Sequence, residues 1–308
     1  MRHPLAALAA ANCILAGSFP ASEVALRTIG PFTLTGLRFL IAGGLLAHIA
    51  LPVLRRLTHP QRLRLLAVSA IGLWGQMVLI YYGINHANSA IAAIIVGLEP
   101  VLIAVWAALL LGEHFSGRTA AGLAVGLCGS LLVAGLGTSH GTSLLGLVFL
   151  LGTGLTFSWF TVSSKAFLQL CGPVELTAAI SVLGAAFGLV PMLAEIAFGS
   201  GIDNPTVGTW LMVLYLGAAN SVLAYTLWNR ALRGLPAAAV GASLYAQPIL
   251  GAGLSWLLLR DPLPATFVPG TVLVLAGVYI ASSARRAAAA ATLRARSRDT
   301  SGAGPQRR

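Results

Sequence analysis

Between Asn88 and Leu111 the chain runs for 24 residues with a single ionisable side chain, Glu99, which stands near the middle and is followed by Pro100. At 1.5 Å per residue such a run reaches across the ~30 Å hydrocarbon layer of a bilayer. A carboxylate at the bilayer centre costs roughly 2.5–3.5 kcal/mol, so it needs a partner, a polar cavity or a proton. Proline lacks the backbone N–H, and its ring collides with the carbonyl four residues back. A kink or break is therefore expected at Pro100.

The same design returns 148 residues later without a gap. Glu99-Pro100 falls on Gln247-Pro248, and Glu113, which follows Leu-Leu-Leu-Gly, falls on Asp261. Gly122 falls on Gly270 and Gly129 on Gly277. Matched Leu and Ala carry little weight in so apolar a chain. The polar–Pro pair, the acid and the two glycines are harder to match by chance, and they mark an internal repeat.

Hydrophobic residues make up 57% of the chain and charged residues 9%, which excludes an ordinary soluble domain. The 35 glycines suit closely packed membrane helices. Apolar windows predict ten spans, at about 5–25, 31–53, 63–83, 88–111, 118–136, 144–165, 174–198, 207–229, 236–259 and 266–283. The expected fold is all-α and integral to the membrane, with ten transmembrane helices in two inverted five-helix repeats. Residues 1–140 would form the first repeat and 141–283 the second, with 284–308 a basic, disordered cytoplasmic tail on anionic headgroups. Cys13, Cys128 and Cys171 form no ligand spacing, and the first two read as small packing residues inside spans.

The net charge of +11 does not imply nucleic acid, because the basic residues occupy short loops and the tail. With the N-terminus cytoplasmic, 16 of the 19 Lys and Arg fall inside, Arg27 and Arg260 fall outside, and Arg38 lies within a span. Both termini are therefore expected in the cytoplasm. Five spans per copy is odd, so successive copies enter the membrane in opposite senses. Inverted repeats of this kind characterise secondary transporters, whose substrate site lies at the midplane between the halves.

Three stretches, PFTLTGLRFLIAG (31–43), LIYYGINHANSAIAAIIVGLEPVLIAVWAALLLGEHF (79–115) and AYTLWNRALRGLPAAAVGASLYAQPILGAGLSWLLLRDPL (224–263), resemble the drug/metabolite transporter superfamily, EamA type. The resemblance covers all but the tail. It implies a ten-helix bundle around a central cavity that opens alternately to either side. Members move small metabolites, amino acids, nucleotide sugars or drugs, usually outward in bacteria. The chain departs from that pattern in its first helix, where the common Trp-Gly-Ser-Asn is replaced by Leu15-Ala16-Gly17-Ser18-Phe19-Pro20. Glu23 stands where the family often has Lys, which would invert the charge at one cavity wall.

Each polar residue inside a span has a functional and a structural reading. Glu99 is a candidate proton-coupling or amine-binding carboxylate, or a carboxyl bonded to backbone freed at Pro100. Its counterpart Gln247 cannot titrate. Pro100 and Pro248 would be helix breaks that line the cavity and serve gating. Glu23 and Arg38 could pair across an outer vestibule, or Arg38 could reach the headgroups alone. Gln76 and Asn220 could bind substrate or bond across helices. Trp159 adds aromatic surface, and Tyr245, deep in its span, is the preferred aromatic contact for a ligand. Tyr81, Tyr82 and Trp228 read as interface residues. Glycines 122, 126, 129, 270 and 277 read as close helix contacts.

No nucleophile motif, nucleotide loop, dinucleotide fingerprint or metal-ligand spacing occurs, so neither an enzyme nor a cofactor or metal is expected. The expected activity is export of small metabolites, amino-acid-like or amine compounds, or drugs, by alternating access at the bacterial inner membrane. The cavity would lie between helices 1, 3 and 4 and helices 6, 8 and 9. The partners are a small-molecule substrate, the lipid bilayer and, for a gradient-driven carrier, protons; a homodimer is compatible with this fold. An uptake permease or facilitator of the same fold is the alternative, followed by a non-transporting sensor or assembly subunit.

Overall fold

The computed structural model describes residues 3–86, 89–113, 116–134, 144–199, 201–250, 253 and 265–281. Asp261, His114, His140 and the tail lie outside them. In chain order the helices are α1 (Pro4–Leu26), α2 (Pro31–Arg56), α3 (His59–Gly83), α4 (Ser89–Leu111), α5 (Gly117–Ala134), α6 (Leu144–Phe167), α7 (Pro173–Ala197), α8 (Val207–Gly234), α9 (Ala237–Leu250) and α10 (Phe267–Ala281). Six of them, α1, α2, α3, α6, α7 and α8, are long and apolar enough to cross a membrane. The described apolar stretches of the other four are shorter.

Several helices start where the sequence supplies a stop for the loop and a cap for the first turn. Pro4, Pro31 and Pro173 sit in the opening turn, where a missing N–H costs nothing. Ahead of α3, the backbone N–H of Thr58 donates to Gln61 Oε1 at 2.9 Å, and ahead of α7 that of Gly172 donates to Glu175 Oε2 at 2.7 Å. Arg55 and Arg56 close α2, where a cation meets the negative end of the helix dipole.

Two pairs of equivalent helices, α2 with α7 and α5 with α10, pack on one another and run in opposite directions. Glu195, near the end of α7, accepts from the N–H and hydroxyl of Thr33 at the start of α2, at 2.6 and 2.7 Å. At the other end of the same pair, Arg56 lies 3.6 Å from Glu175. An isolated antiparallel bridge, Ile29 to Ile202, ties the adjoining loops. The pair α5 and α10 is closer still. A Cβ on Gly129 would stand 2.7 Å from the Gly270 carbonyl oxygen, and one on Gly270 would stand 2.8 Å from that of Gly129. Gly277 lies in the same way against Gly122 and Gly126. Backbone therefore touches backbone along this seam, as small residues permit in lipid.

Among the described residues two helices carry a π-helical segment: Val68–Gly75 in α3 and Tyr215–Ala224 in α8. Shifted by the repeat spacing, the first falls on residues 216–223, inside the second. The prolines behave less symmetrically. Pro100 lies inside α4 without interrupting it. In α9 the α-helical pattern gives way to a 3₁₀ turn, Ser243–Tyr245, and resumes at Ala246, ahead of Pro248. Leu244, whose carbonyl the Pro248 ring would strike in a regular helix, belongs to that turn.

Candidate functional site

The break in α1 follows from Pro20, which cannot bond the carbonyl of Ala16. The helix parts at Gly17 and resumes at Ser18. Gly17 has no room for a Cβ, because the Tyr215 hydroxyl occupies that space and donates to the Ile14 carbonyl at 2.6 Å. Ser18 and Ser22 are thereby turned, with Leu15, onto a cavity of about 80 Å³ shared by α1, α2, α3, α4, α6, α8 and α9. That is room for a few waters or the polar head of a small solute.

Five residues singled out in the sequence meet on this cavity: Arg38, Gln76, Glu99, Asn220 and Gln247. All five are buried. The π segments do much of the placing. Gln76 is the first residue after the one in α3, and Asn220 lies within the one in α8. Arg38 donates through Nε to Ser221 Oγ at 2.6 Å and through Nη2 to Asn220 Oδ1. Its Nη1 faces Met77 Sδ at 3.2 Å and the Tyr81 hydroxyl at 3.5 Å. Ser221 in turn donates to the Leu216 carbonyl, five residues back, at 2.8 Å. The widened turn thus holds the hydroxyl that holds the guanidinium. Among the described residues no carboxylate is bonded to Arg38.

Gln247 donates to Asn12 Oδ1 at 3.4 Å, and Asn12 donates to Ser243 Oγ at 2.9 Å and to the Leu8 carbonyl at 3.0 Å. Glu99 differs. Among the described residues its carboxyl has no hydrogen-bond or ion-pair partner. Gln76 Oε1 is likewise buried and unpartnered. The rest of the wall is apolar or aromatic, with Met77, Ile80, Tyr81, Phe157, Tyr225 and Leu244.

Other candidates lie elsewhere. Glu23 is exposed and pairs with Arg27, one helical turn along, at 3.0 Å. Glu23 and Arg38 do not pair, and Arg38 does not reach the headgroups either, because it is buried and turned inward to α8. Tyr245 packs against Gly126 and donates to the Leu123 carbonyl at 2.9 Å, so its hydroxyl ties α9 to α5. Trp159 packs beside Gly72 of α3 and is absent from the cavity wall. Trp228 and Tyr81, expected at the interface, are both buried. Trp228 packs on Phe157, with ring centroids 6.2 Å apart, and Tyr81 faces Arg38. Tyr82 is half-buried between Phe32 and Phe149. Cys13 and Cys128, expected in helix contacts, are exposed on their helices. Asn12, Ser18 and Ser22 were not singled out in the sequence; the signal available was their polarity inside an apolar helix.

A second, partly buried charged group joins the halves at one end. Glu113, just past α4, accepts from Lys165 Nζ at 2.6 Å and from the N–H groups of Ala237 and Ala238 at 2.9 and 3.4 Å. Lys165 also donates to the Leu235 carbonyl at 2.9 Å. A carboxylate from the end of α4 thus caps the start of its repeat partner α9, where the free N–H groups favour an anion.

The EamA-like transporter family pattern matches residues 4–135 and again residues 144–283. The Bacillus subtilis protein named "Uncharacterized transporter YetK" is 26% identical over 280 residues, covering 89% of this chain and 84% of that one. A "Probable terminal-alkyne amino-acid exporter" of Streptantibioticus cattleyicolor is 27% identical, covering 86% and 88%. A "Probable amino-acid metabolite efflux pump" of Salmonella typhimurium is 25% identical, covering 85% and 89%. One solved crystal structure, 23% identical, superposes with a TM-score of 0.76 over 91% of this chain and 98% of the other, a likeness of fold. With two matched copies that together span nearly all its helices, the chain belongs to the EamA-like transporter family and is a multi-pass membrane protein.

Proposed function

We propose that this transporter exports small amino-acid-like or amine metabolites, or drugs, across the bacterial inner membrane by alternating access. The observation that carries the reading is the cavity itself. It lies where the two halves meet, and it gathers an acid, a guanidinium and three amides from five helices of an otherwise apolar protein. In this reading all ten helices cross the membrane as two inverted repeats, residues 1–140 and 141–283. Both termini are cytoplasmic, and the basic tail 284–308 rests on anionic lipid. Glu99 couples transport to protons or receives an amine, while Gln76, Asn220 and Gln247 contact substrate. Pro100 and Pro248 allow α4 and α9 to bend as access changes. The two relatives named for amino-acid export support the substrate class and the direction.

The test is an export panel in a sensitised bacterium expressing the wild type, Glu99→Gln or no transporter, challenged with toxic amino-acid analogues, amines and dyes. Protection by the wild type alone, at equal membrane levels, is expected. Accumulation of solute inside wild-type cells, with no protection, would favour an uptake permease of the same fold. No flux of any solute by the purified protein in vesicles would remove the transport reading.

A further inference from the structure

The unsatisfied groups of the cavity are of two kinds. Arg38 is buried and positively charged, and its described bonds go to a hydroxyl, an amide oxygen, a thioether and a phenol, none of which neutralises it. A guanidinium carries five N–H donors and matches a carboxylate through two of them at once. Glu99 and Gln76 Oε1 are acceptors without donors. A buried guanidinium with no carboxylate bonded to it and a buried acceptor without a donor are both costly, and a ligand that supplies both a carboxylate and N–H donors relieves both. The carboxylate and ammonium of an α-amino acid are such a ligand. An ammonium has three donors for a carboxylate and an amide oxygen, and no acceptor of its own to leave unmatched. The other lining residues include Met77, Ile80, Phe157 and Leu244, an apolar surface for a side chain once the cavity widens beyond the roughly 80 Å³ that admits the polar head.

We propose that the cavity is a receptor for apolar α-amino acids in their zwitterionic form, with Arg38 as the carboxylate receptor and Glu99 with Gln76 as the ammonium receptor. The proposal rests on the transport reading only for its consequence, flux; binding tests it separately. Ser221 is a positioning residue that holds the guanidinium toward the cavity, helped by Asn220, which also lines the wall. The proposal narrows the substrate: a simple amine leaves Arg38 unneutralised, and a simple carboxylate leaves Glu99 and Gln76 without donors.

The test compares leucine, leucinamide and 4-methylpentanoate, which share a side chain but carry both charges, the cation only and the anion only. With the purified full-length protein in detergent, thermal stabilisation by each is titrated. Leucine is expected to bind about 10-fold to 100-fold more tightly than either analogue, the loss that accompanies one charge-assisted contact. Arg38→Gln is expected to bring leucine down to the level of leucinamide, and Glu99→Gln to bring it down to that of 4-methylpentanoate. Leucinamide equal to leucine in the wild type would overturn the role of Arg38, and 4-methylpentanoate equal to leucine would overturn that of Glu99. These wild-type comparisons decide even where a variant fails to fold. Selective leucine binding without flux in proteoliposomes would keep the receptor and discard transport. Flux of other solutes with no leucine binding would keep transport and discard the receptor.

Discussion

The two halves place a Glu-Pro and a Gln-Pro at one register, on one cavity, and treat them differently. Gln247 is tethered to Asn12 of the other half, and the 3₁₀ turn before Pro248 reshapes its helix. Glu99 stands on an unbroken helix with no partner among the described residues. The backbones therefore repeat while the chemistry does not. Inverted copies need matching backbones to exchange one open side for the other. A binding site between them needs opposite kinds of group on its opposite walls, so that part of the repeat is free to diverge. The glycine seam of α5 and α10 shows the other extreme, where both copies keep the same residue because backbone meets backbone.

The largest effect should come from breaking what the halves share. Gly129→Leu and Gly277→Leu each drive a side chain into the opposing backbone, which cannot yield as a side-chain tip can. Each should cost about 3 kcal/mol or more and remove the folded species from size-exclusion chromatography, to the same degree in both halves. Tolerance of one and not the other would show that the seam is not symmetric.

Next comes the capping acid. Glu113→Ala strands Lys165 and the start of α9, and should lower stability by roughly 1–3 kcal/mol. Glu113→Asp, which gives the first half the residue found in the second, should lose part of that, because the shorter side chain cannot reach both Lys165 and Ala237. Thermal unfolding of the purified protein separates the two variants.

The contrast at the Pro registers is sharpened by a pair of swaps. Glu99→Gln should reduce export about tenfold or more and remove its pH dependence. It should leave the unfolding temperature near that of the wild type, since no hydrogen bond of the carboxyl is lost. Gln247→Leu should do the reverse in stability, costing about 1 kcal/mol by leaving Asn12 Oδ1 without its donor. Equal losses of stability in the two variants would mean that Glu99 is as firmly bonded as Gln247.

The smallest effect is expected at Glu23. Its pairing with Arg27 is an exposed contact along one helix, worth about 0.5 kcal/mol at most. Glu23→Ala should change neither unfolding temperature nor transport. A tenfold loss of flux would restore Glu23 to a vestibule role.

Much of this arrangement could be read from residue order. Span positions follow from apolar length, and the repeat follows from a few matched residues that are expensive to keep in lipid. Five cavity residues were visible because each is a polar group inside an apolar run, although Arg38, two turns into its helix, pointed to an outer vestibule or the headgroups. What order along the chain does not give is the face of the helix. In spans that are apolar all round, Tyr245 and Tyr81 have the same neighbours in sequence whether they line a cavity or fill a seam. Tyr245 proved to be a packing residue and Tyr81 a cavity residue. Trp228 lies two residues from Arg230, which suggested the interface, yet its ring is held in the core by Phe157. The choice of partner by Arg38 was also invisible, because Ser221 and Asn220 reach it only through a widened turn with no compositional mark.

That widened turn bears on how the gene can change. A π segment holds one residue more than an α-helix spanning the same length. Elsewhere in a packed span, deleting a residue turns everything beyond it by about 100° and misplaces every contact. Within Val68–Gly75 or Tyr215–Ala224 the same deletion removes the surplus and leaves both flanks in register. These are the places where α3 and α8 can shorten without unravelling, at the cost of the grip on Arg38 in the case of α8. Because the surplus sits at one register in both copies, a single insertion before the duplication accounts for both.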